Sequence, residues 1–250
     1  MDLKIKDVAE LLNVSEKTIR RWLADGKIPA YRLNSQYRFS RIEIENWVMS
    51  CKLSKNQPGF LTLAQQEQEI DFNDREAGSE PLQNEEEQKS GVQQFSLYRA
   101  VHKGGVFTNI PGTNKEEIIA NTMKQVAGVL GRDPEMLTEL LLDREKLMPT
   151  ALNHGIAVPH SREFVFEGPF DVVVVVFPEQ PIAYGALDGE PVHTLFFLFA
   201  SGDKKHLHLL AKIAHLSGNK EVQQLLCTRP DKQQFLEYLR EWEANLEPIR

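Results

Sequence analysis

Residues 53–94 hold too little apolar surface to build a core, and this divides the rest of the chain in two. They contain Gln65-Gln66-Glu67-Gln68-Glu69 and Glu85-Glu86-Glu87-Gln88 with few large apolar side chains. Such a stretch cannot offset the entropy lost on ordering, and its like charges favour an extended chain. It reads as an acidic, Gln-rich linker between an N-terminal domain, residues 1–52, and a larger C-terminal domain, residues 95–250. A competing reading makes Leu61–Ile70 a short helix that serves as a dimer contact. The division also changes how the net charge of −7 is understood. Residues 1–52 carry ten Lys/Arg against seven Asp/Glu, residues 53–94 three against nine, and residues 95–250 sixteen against twenty. Only the N-terminal piece is basic, a pattern that suits a nucleic-acid module attached to something else.

Within that piece Ile5, Val8, Ala9 and Leu12 recur at helical spacing and give a short helix one apolar face. Asn13-Val14 breaks it. Ser15 can cap a second helix, with Ile19, Trp22 and Leu23 inward and Lys17, Thr18, Arg20 and Arg21 outward, closed by Gly26. Tyr31–Leu33 and Tyr37–Phe39 flank Asn34-Ser35-Gln36 as a small hairpin carrying Arg32 and Arg38. Ser40-Arg41-Ile42-Glu43 forms a capping box that opens a third helix with Ile44, Trp47 and Val48 inward. Two helices joined by a tight turn can lay the second in a major groove. Lys17, Thr18, Arg20, Arg21, Arg38 and Arg41 are the candidate DNA contacts, the last two suited to phosphate oxygens.

Ile5–Val48 resembles the excisionase-type branch of the MerR-like winged helix-turn-helix superfamily. The resemblance is carried by Asp7-Val8-Ala9-Glu10-Leu11-Leu12-Asn13-Val14-Ser15, Thr18-Ile19-Arg20-Arg21-Trp22, Gly26-Lys27-Ile28-Pro29-Ala30 and Tyr37-Arg38-Phe39. It implies that the second helix reads base edges while the wing contacts backbone or minor groove.

From Phe95 the punctuation becomes that of an α/β fold. Thr113-Asn114-Lys115-Glu116 reads as a capping box before a helix with Ile118, Ile119, Val126 and Leu130, ended by Gly131. Asp133-Pro134 is a cap followed by a first-turn proline, starting a helix through Leu137, Leu140, Leu141 and Arg144. Ile156–Val158, Val172–Phe177 and Thr194–Phe199 are strand-like, the last two apolar enough to be covered on both faces. Asp203–Leu216 and Pro230–Trp242 read as closing helices. His160 ends Gly155-Ile156-Ala157-Val158-Pro159-His160, which places an imidazole at a strand end where a partner can reach it. A neutral imidazole is a competent nucleophile toward a phosphoryl group, and Arg144 and His206 are candidates to hold the moving oxygens. From spacing alone, a lone histidine after a strand is more often structural.

Residues 107–245 resemble the fructose/mannitol/nitrogen-type enzyme IIA domain of the phosphotransferase system. The motifs are Leu142-Asp143-Arg144-Glu145-Lys146-Leu147, His154-Gly155-Ile156-Ala157-Val158-Pro159-His160, Tyr184-Gly185-Ala186-Leu187-Asp188-Gly189-Glu190-Pro191-Val192-His193 and His206-Leu207-His208-Leu209-Leu210-Ala211. The resemblance implies a three-layer α/β/α sandwich around a mixed sheet. It also implies His160 as phosphoacceptor, His206 as its partner histidine and Arg144 as the arginine that steadies phosphoryl oxygens. The donor it implies is HPr or its nitrogen-branch counterpart, with no metal and no organic cofactor. His154 reads as structural. His208 and His215 are wrongly spaced on a helix to complete a metal site with His206.

The two halves together suggest a phosphotransferase-linked transcription regulator that acts as a homodimer on paired half-sites. One alternative is a phosphocarrier that passes phosphate to a separate sugar-specific IIB component. Another is a phosphorylation-dependent protein-binding switch that does not touch DNA. No apolar run reaches the ~18–20 residues of a membrane span. The start, Met1-Asp2-Leu3-Lys4, lacks a signal-peptide pattern, and Cys51 and Cys227 form no disulfide framework. A cytoplasmic setting is expected.

Overall fold

The computed structural model describes residues 2–12, 14–33, 36–50, 95–161 and 170–245. The stretch read as a linker, residues 53–94, and the helix considered at Leu61–Ile70 lie outside them. The chain divides into two compact units, Met1–Gln94 with Leu246–Arg250, and Phe95–Asn245.

The first unit runs β1 (Asp2–Leu3), α1 (Ile5–Leu12), α2 (Glu16–Ala24), β2 (Tyr31–Leu33), β3 (Gln36–Ser40) and α3 (Arg41–Ser50). Ser15 caps α2 by accepting from the Thr18 N–H. Gly26, with φ of 65°, ends it in a left-handed turn. Its N–H donates to the Leu23 carbonyl and that of Lys27 to the Trp22 carbonyl, so two otherwise orphaned carbonyls are satisfied. The hairpin pairs Tyr31 with Arg38 and Leu33 with Gln36, while β1 adds Leu3 opposite Phe39. Val8, Leu12, Ile19, Trp22, Phe39, Ile44 and Val48 are buried together as the core residues of the unit. Trp47 packs on Trp22 with ring centroids 5.5 Å apart and donates to the Lys27 carbonyl. Thr18, expected to face outward, is buried, because its hydroxyl bonds Ser15 Oγ at 2.9 Å.

The second unit runs α4 (Ser96–Gly104), β4 (Val106–Ile110), α5 (Lys115–Leu130), α6 (Pro134–Leu147), β5 (Ile156–Ala157), β6 (Val172–Pro178), β7 (Thr194–Phe199), α7 (Asp203–Ser217), α8 (Lys220–Cys227) and α9 (Lys232–Asn245). Among the described residues four strands form a mixed sheet in the order β4-β6-β7-β5. The β4/β6 and β5/β7 pairs are parallel and β6/β7 is antiparallel. Strand alternation sorts the sheet's side chains into two layers. Val172, Val174, Val176, Leu195, Phe197 and Phe199 join the α5 and α6 residues Ile119, Met123, Leu137 and Leu141 in one core. On the opposite face α4 packs against β6 and α7 against β7, and Phe196 meets Phe235 of α9 at 6.0 Å. This is the expected α/β/α arrangement, and it explains why β6 and β7 are buried along their full length.

Local signals set most helix ends. Asp133 caps α6 with Pro134 in its first turn. The box before α5 sits one residue later than expected: Asn114 is the cap, and Glu117, not Glu116, reaches back to the Thr113 N–H and hydroxyl. At α4 the cap is tertiary. Phe95 offers no oxygen, so the buried Glu243 of α9 accepts from the N–H groups of Leu97 at 3.1 Å and Tyr98 at 2.7 Å. Glu243 also takes the Lys212 ammonium of α7 at 2.5 Å. Among the described residues no helix is long and apolar enough to cross a membrane.

Candidate functional site

A short hairpin and the edge of the sheet together carry His160. Leu152 N–H donates to the Ile156 carbonyl and Val158 N–H to the Thr150 carbonyl, with Ala151 bridged to Ala157. The returning arm is β5. The register that pairs Ile156 with Thr194 and Ala157 with Leu195 carries on to pair His160 with Leu198. Pro159 has no N–H, yet its carbonyl accepts from Leu198 N at 2.9 Å, so the strand direction survives the proline. His160 thus stands beside the end of β7, after which the chain turns into α7.

His206 lies in the first turns of α7, and its ring meets that of His160 edge-on, centroids 5.1 Å apart at 62°. His160 Nδ1 lies 2.8 Å from the Val158 carbonyl. A carbonyl oxygen can only accept, so Nδ1 carries a proton, and in the neutral imidazole Nε2 then keeps its in-plane lone pair. Both rings are buried, although a strand end led us to expect an accessible imidazole. The His160 ring is turned in against its own strand and covered on one side by His206.

Arg144, in the last turn of α6, is also buried. Its Nη1 donates to the Met148 carbonyl at 3.0 Å, a C-terminal helix carbonyl of the kind that basic side chains satisfy. Of the three residues expected from the sequence, His160 and His206 are in direct contact, and Arg144 holds the Met148 carbonyl on the segment that leads into the hairpin.

Two further residues of that region were not anticipated as functional. Glu145 is buried and accepts from both the N–H and the hydroxyl of Thr150. Burial pushes its carboxyl above the ordinary value, with the Thr150 bonds and the Lys115 charge acting the other way. Burial likewise raises the Tyr184 phenol well above its usual value, reinforced by the Glu145 charge. The available signal was position. Glu145 falls four residues after Leu141 and eight after Leu137, on the apolar row of α6, where an acidic residue is out of place.

Three further histidines make contacts of their own. His154 adopts φ of 65°, and its N–H is held by the Asp188 carboxylate at 2.8 Å. His208 Nε2 lies 3.1 Å from Ser96 Oγ, and His215 packs against Trp242.

In the first unit the residues considered for DNA contact differ in their commitments. Lys17 and Arg20 are exposed on α2, Arg20 in a loose 3.6 Å pair with Glu16. Arg21 is half-buried. Arg38 donates to the Tyr37 carbonyl and the Gln36 side chain, and Arg41 is paired with Glu45 at 2.9 Å. Arg32, exposed on β2, lies over the Tyr37 ring at 5.1 Å.

Residues 100–242 match the family described as phosphoenolpyruvate-dependent sugar phosphotransferase system, EIIA 2, and residues 3–52 match a helix-turn-helix domain family. The nitrogen regulatory protein of Pseudomonas aeruginosa is 33% identical over 137 residues, covering 54% of this chain and 88% of that protein. The nitrogen regulatory protein of Escherichia coli is 34% identical over 112 residues, 44% of this chain and 68% of that one. Among solved structures, nitrogen regulatory protein IIA-Ntr from Neisseria meningitidis shares the fold. Its TM-score is 0.50 at 22% identity, over 55% of this chain and 94% of that one.

Proposed function

Because this chain belongs to the EIIA 2 family of the phosphoenolpyruvate-dependent sugar phosphotransferase system, we propose that it accepts a phosphoryl group on His160 and couples that event to DNA binding by its helix-turn-helix domain. The donor is a phosphohistidine of HPr or of a nitrogen-branch carrier. His160 Nε2 attacks phosphorus in line, the donor's P–N bond breaks, and a new P–N bond forms on His160. The donor imidazole leaves with the electron pair of the broken bond. Nδ1 keeps its proton on the Val158 carbonyl, which steadies the cationic ring as it forms. The observation that carries this reading is the 2.8 Å contact between Nδ1 and that carbonyl, since it leaves Nε2 as the nucleophile.

His206 and Arg144 supply the positive charge and donors that a transferring phosphoryl group needs. The first-turn N–H groups of α7 add to them, because the N-cap Gly202 has no side chain to bind them. No metal or organic cofactor enters the scheme. The nitrogen regulatory relatives favour control over sugar transport, and a cytoplasmic setting goes with this reading. On the DNA side, Lys17, Arg20 and Arg21 of α2 face the major groove and the hairpin meets the backbone, with Arg38 and Arg41 near phosphates and Thr18 supporting the helix start. Two copies bind paired half-sites ~34 Å apart.

The test is acid-labile phosphate incorporation from a reconstituted phosphotransferase chain, followed by DNA-binding isotherms of both forms. The native protein labels, His160→Ala does not, and His206→Ala labels slowly. Labelling of His160→Ala at the native level, or of nothing with either carrier, refutes the phosphoacceptor. Identical isotherms for the phosphorylated and unphosphorylated chain refute the coupling.

A further inference from the structure

We propose that Glu145 is a positioning residue for His160, acting through Thr150 and the hairpin that carries the imidazole; this rests on His160 being the phosphoacceptor. A carboxylate on the apolar row of a helix is costly to bury unless its bonds accomplish something that a leucine could not. It accepts twice from one residue, Thr150, from the N–H and from the hydroxyl. The Thr150 carbonyl accepts the Val158 N–H at 2.9 Å, and the Val158 carbonyl in turn holds His160 Nδ1. Three links therefore join the Glu145 carboxylate to the atom that sets the imidazole's tautomer.

The same segment serves Arg144, whose partner carbonyl belongs to Met148, two residues before Thr150. Adjacent residues of α6 thus grip one arm of the hairpin, one by its carboxylate and the other by its guanidinium. Loss of the Thr150 contact frees that arm to slide and turns both the Val158 and Met148 carbonyls away from the groups they orient. Tyr184 is buried beside the same carboxylate, with the Lys115 ammonium 5.9 Å from its ring centroid.

The experiment uses the full chain as native protein and as Glu145→Gln, Thr150→Val and Thr150→Ser. Three quantities are followed: the phosphorylation rate at saturating phosphorylated carrier, the carrier KM, and the ring ¹⁵N resonances of His160. Thr150→Val keeps the shape and removes only the hydroxyl, while Glu145→Gln turns one acceptor into a donor facing another donor. Both lower the saturated rate by on the order of tenfold with KM unchanged, small misplacements of reacting groups being that costly. Both also move the His160 ring resonances toward mixed tautomers, and Thr150→Ser restores rate and resonances together. A lowered melting temperature with native rate and native resonances would show Glu145 to be structural only and overturn the proposal. Should Glu145→Gln fail to fold, the Thr150→Val and Thr150→Ser pair decides. A native chain that does not label removes the phosphoacceptor and this inference together; a native chain that labels no faster than the variants removes only this inference.

Discussion

Glu145 and His193 give stability opposite dependences on pH. Burial raises the Glu145 carboxyl, so the folded chain keeps that proton after the unfolded chain has lost it. Its contribution is most favourable below the ordinary value of 4.5 and is lost as pH rises through the folded value. His193 is half-buried and its imidazole is depressed, first by burial. There the unfolded chain binds the proton first, so stability is lost as pH falls below about 6.5. Glu145→Gln should remove the first trend and leave the second, which thermal melts between mildly acidic and neutral pH would show; an unchanged slope for Glu145→Gln would count against a buried, raised carboxyl. At this scale the sequence told which residues to watch but not what holds them. His160, His206 and Arg144 stood out in short motifs, whereas the Glu145–Thr150 contact depends on a hairpin that folds back on α6. Thr18 shows the same limit, since helical phase placed it outward while a hydroxyl contact to Ser15 turned it in.

Whole elements were legible where their ends are set locally. The helices capped by Ser15 and Asp133 and closed by Gly26 and Gly131 were readable, as were the uninterrupted apolar strands β6 and β7. The missed elements are those whose signal lies elsewhere. Helix α4 takes its cap from Glu243, β4 is interrupted by Asn109 at φ of 58°, and α8 is eight residues long between two larger helices. Two glycines make opposite predictions about helices. A Cβ on Gly104 would lie 2.2 Å from the Val173 carbonyl oxygen, backbone that cannot yield without separating α4 from β6. Gly104→Ala should therefore destabilise by roughly 2–4 kcal/mol. Gly128, exposed on α5, has nothing within 4 Å of the same added atom. Gly128→Ala should stabilise by about 0.5–1 kcal/mol through helix propensity and a less mobile unfolded chain. Denaturant titrations of the two variants test both, and equal shifts in one direction would contradict the packing described for α4.

For the whole molecule, the division of charge sets the terms on which the proposed DNA binding would occur. The basic residues of the first unit are followed in sequence by the acidic stretch 53–94, which is attached to them at high effective concentration. If that stretch competes with phosphates for Lys17 and Arg20, deleting residues 60–90 should tighten non-specific DNA binding at low salt, with the gain fading as salt rises. Fluorescence anisotropy with an arbitrary duplex at several ionic strengths would decide, and unchanged affinity would end the idea. The sequence revealed this division, because it is compositional. It could not reveal the closure of the second unit, which joins residues far apart along the chain. Glu243 meets Leu97 across a separation of 146 residues, and this has a consequence in time. During synthesis the first turn of α4 leaves the ribosome long before the carboxylate that caps it, so the second unit can settle only once α9 has emerged. The N-terminal unit, whose contacts are local, can fold while its neighbour is still being made. Each new copy would then pass through an interval in which the helix-turn-helix is folded and the EIIA-like unit is not.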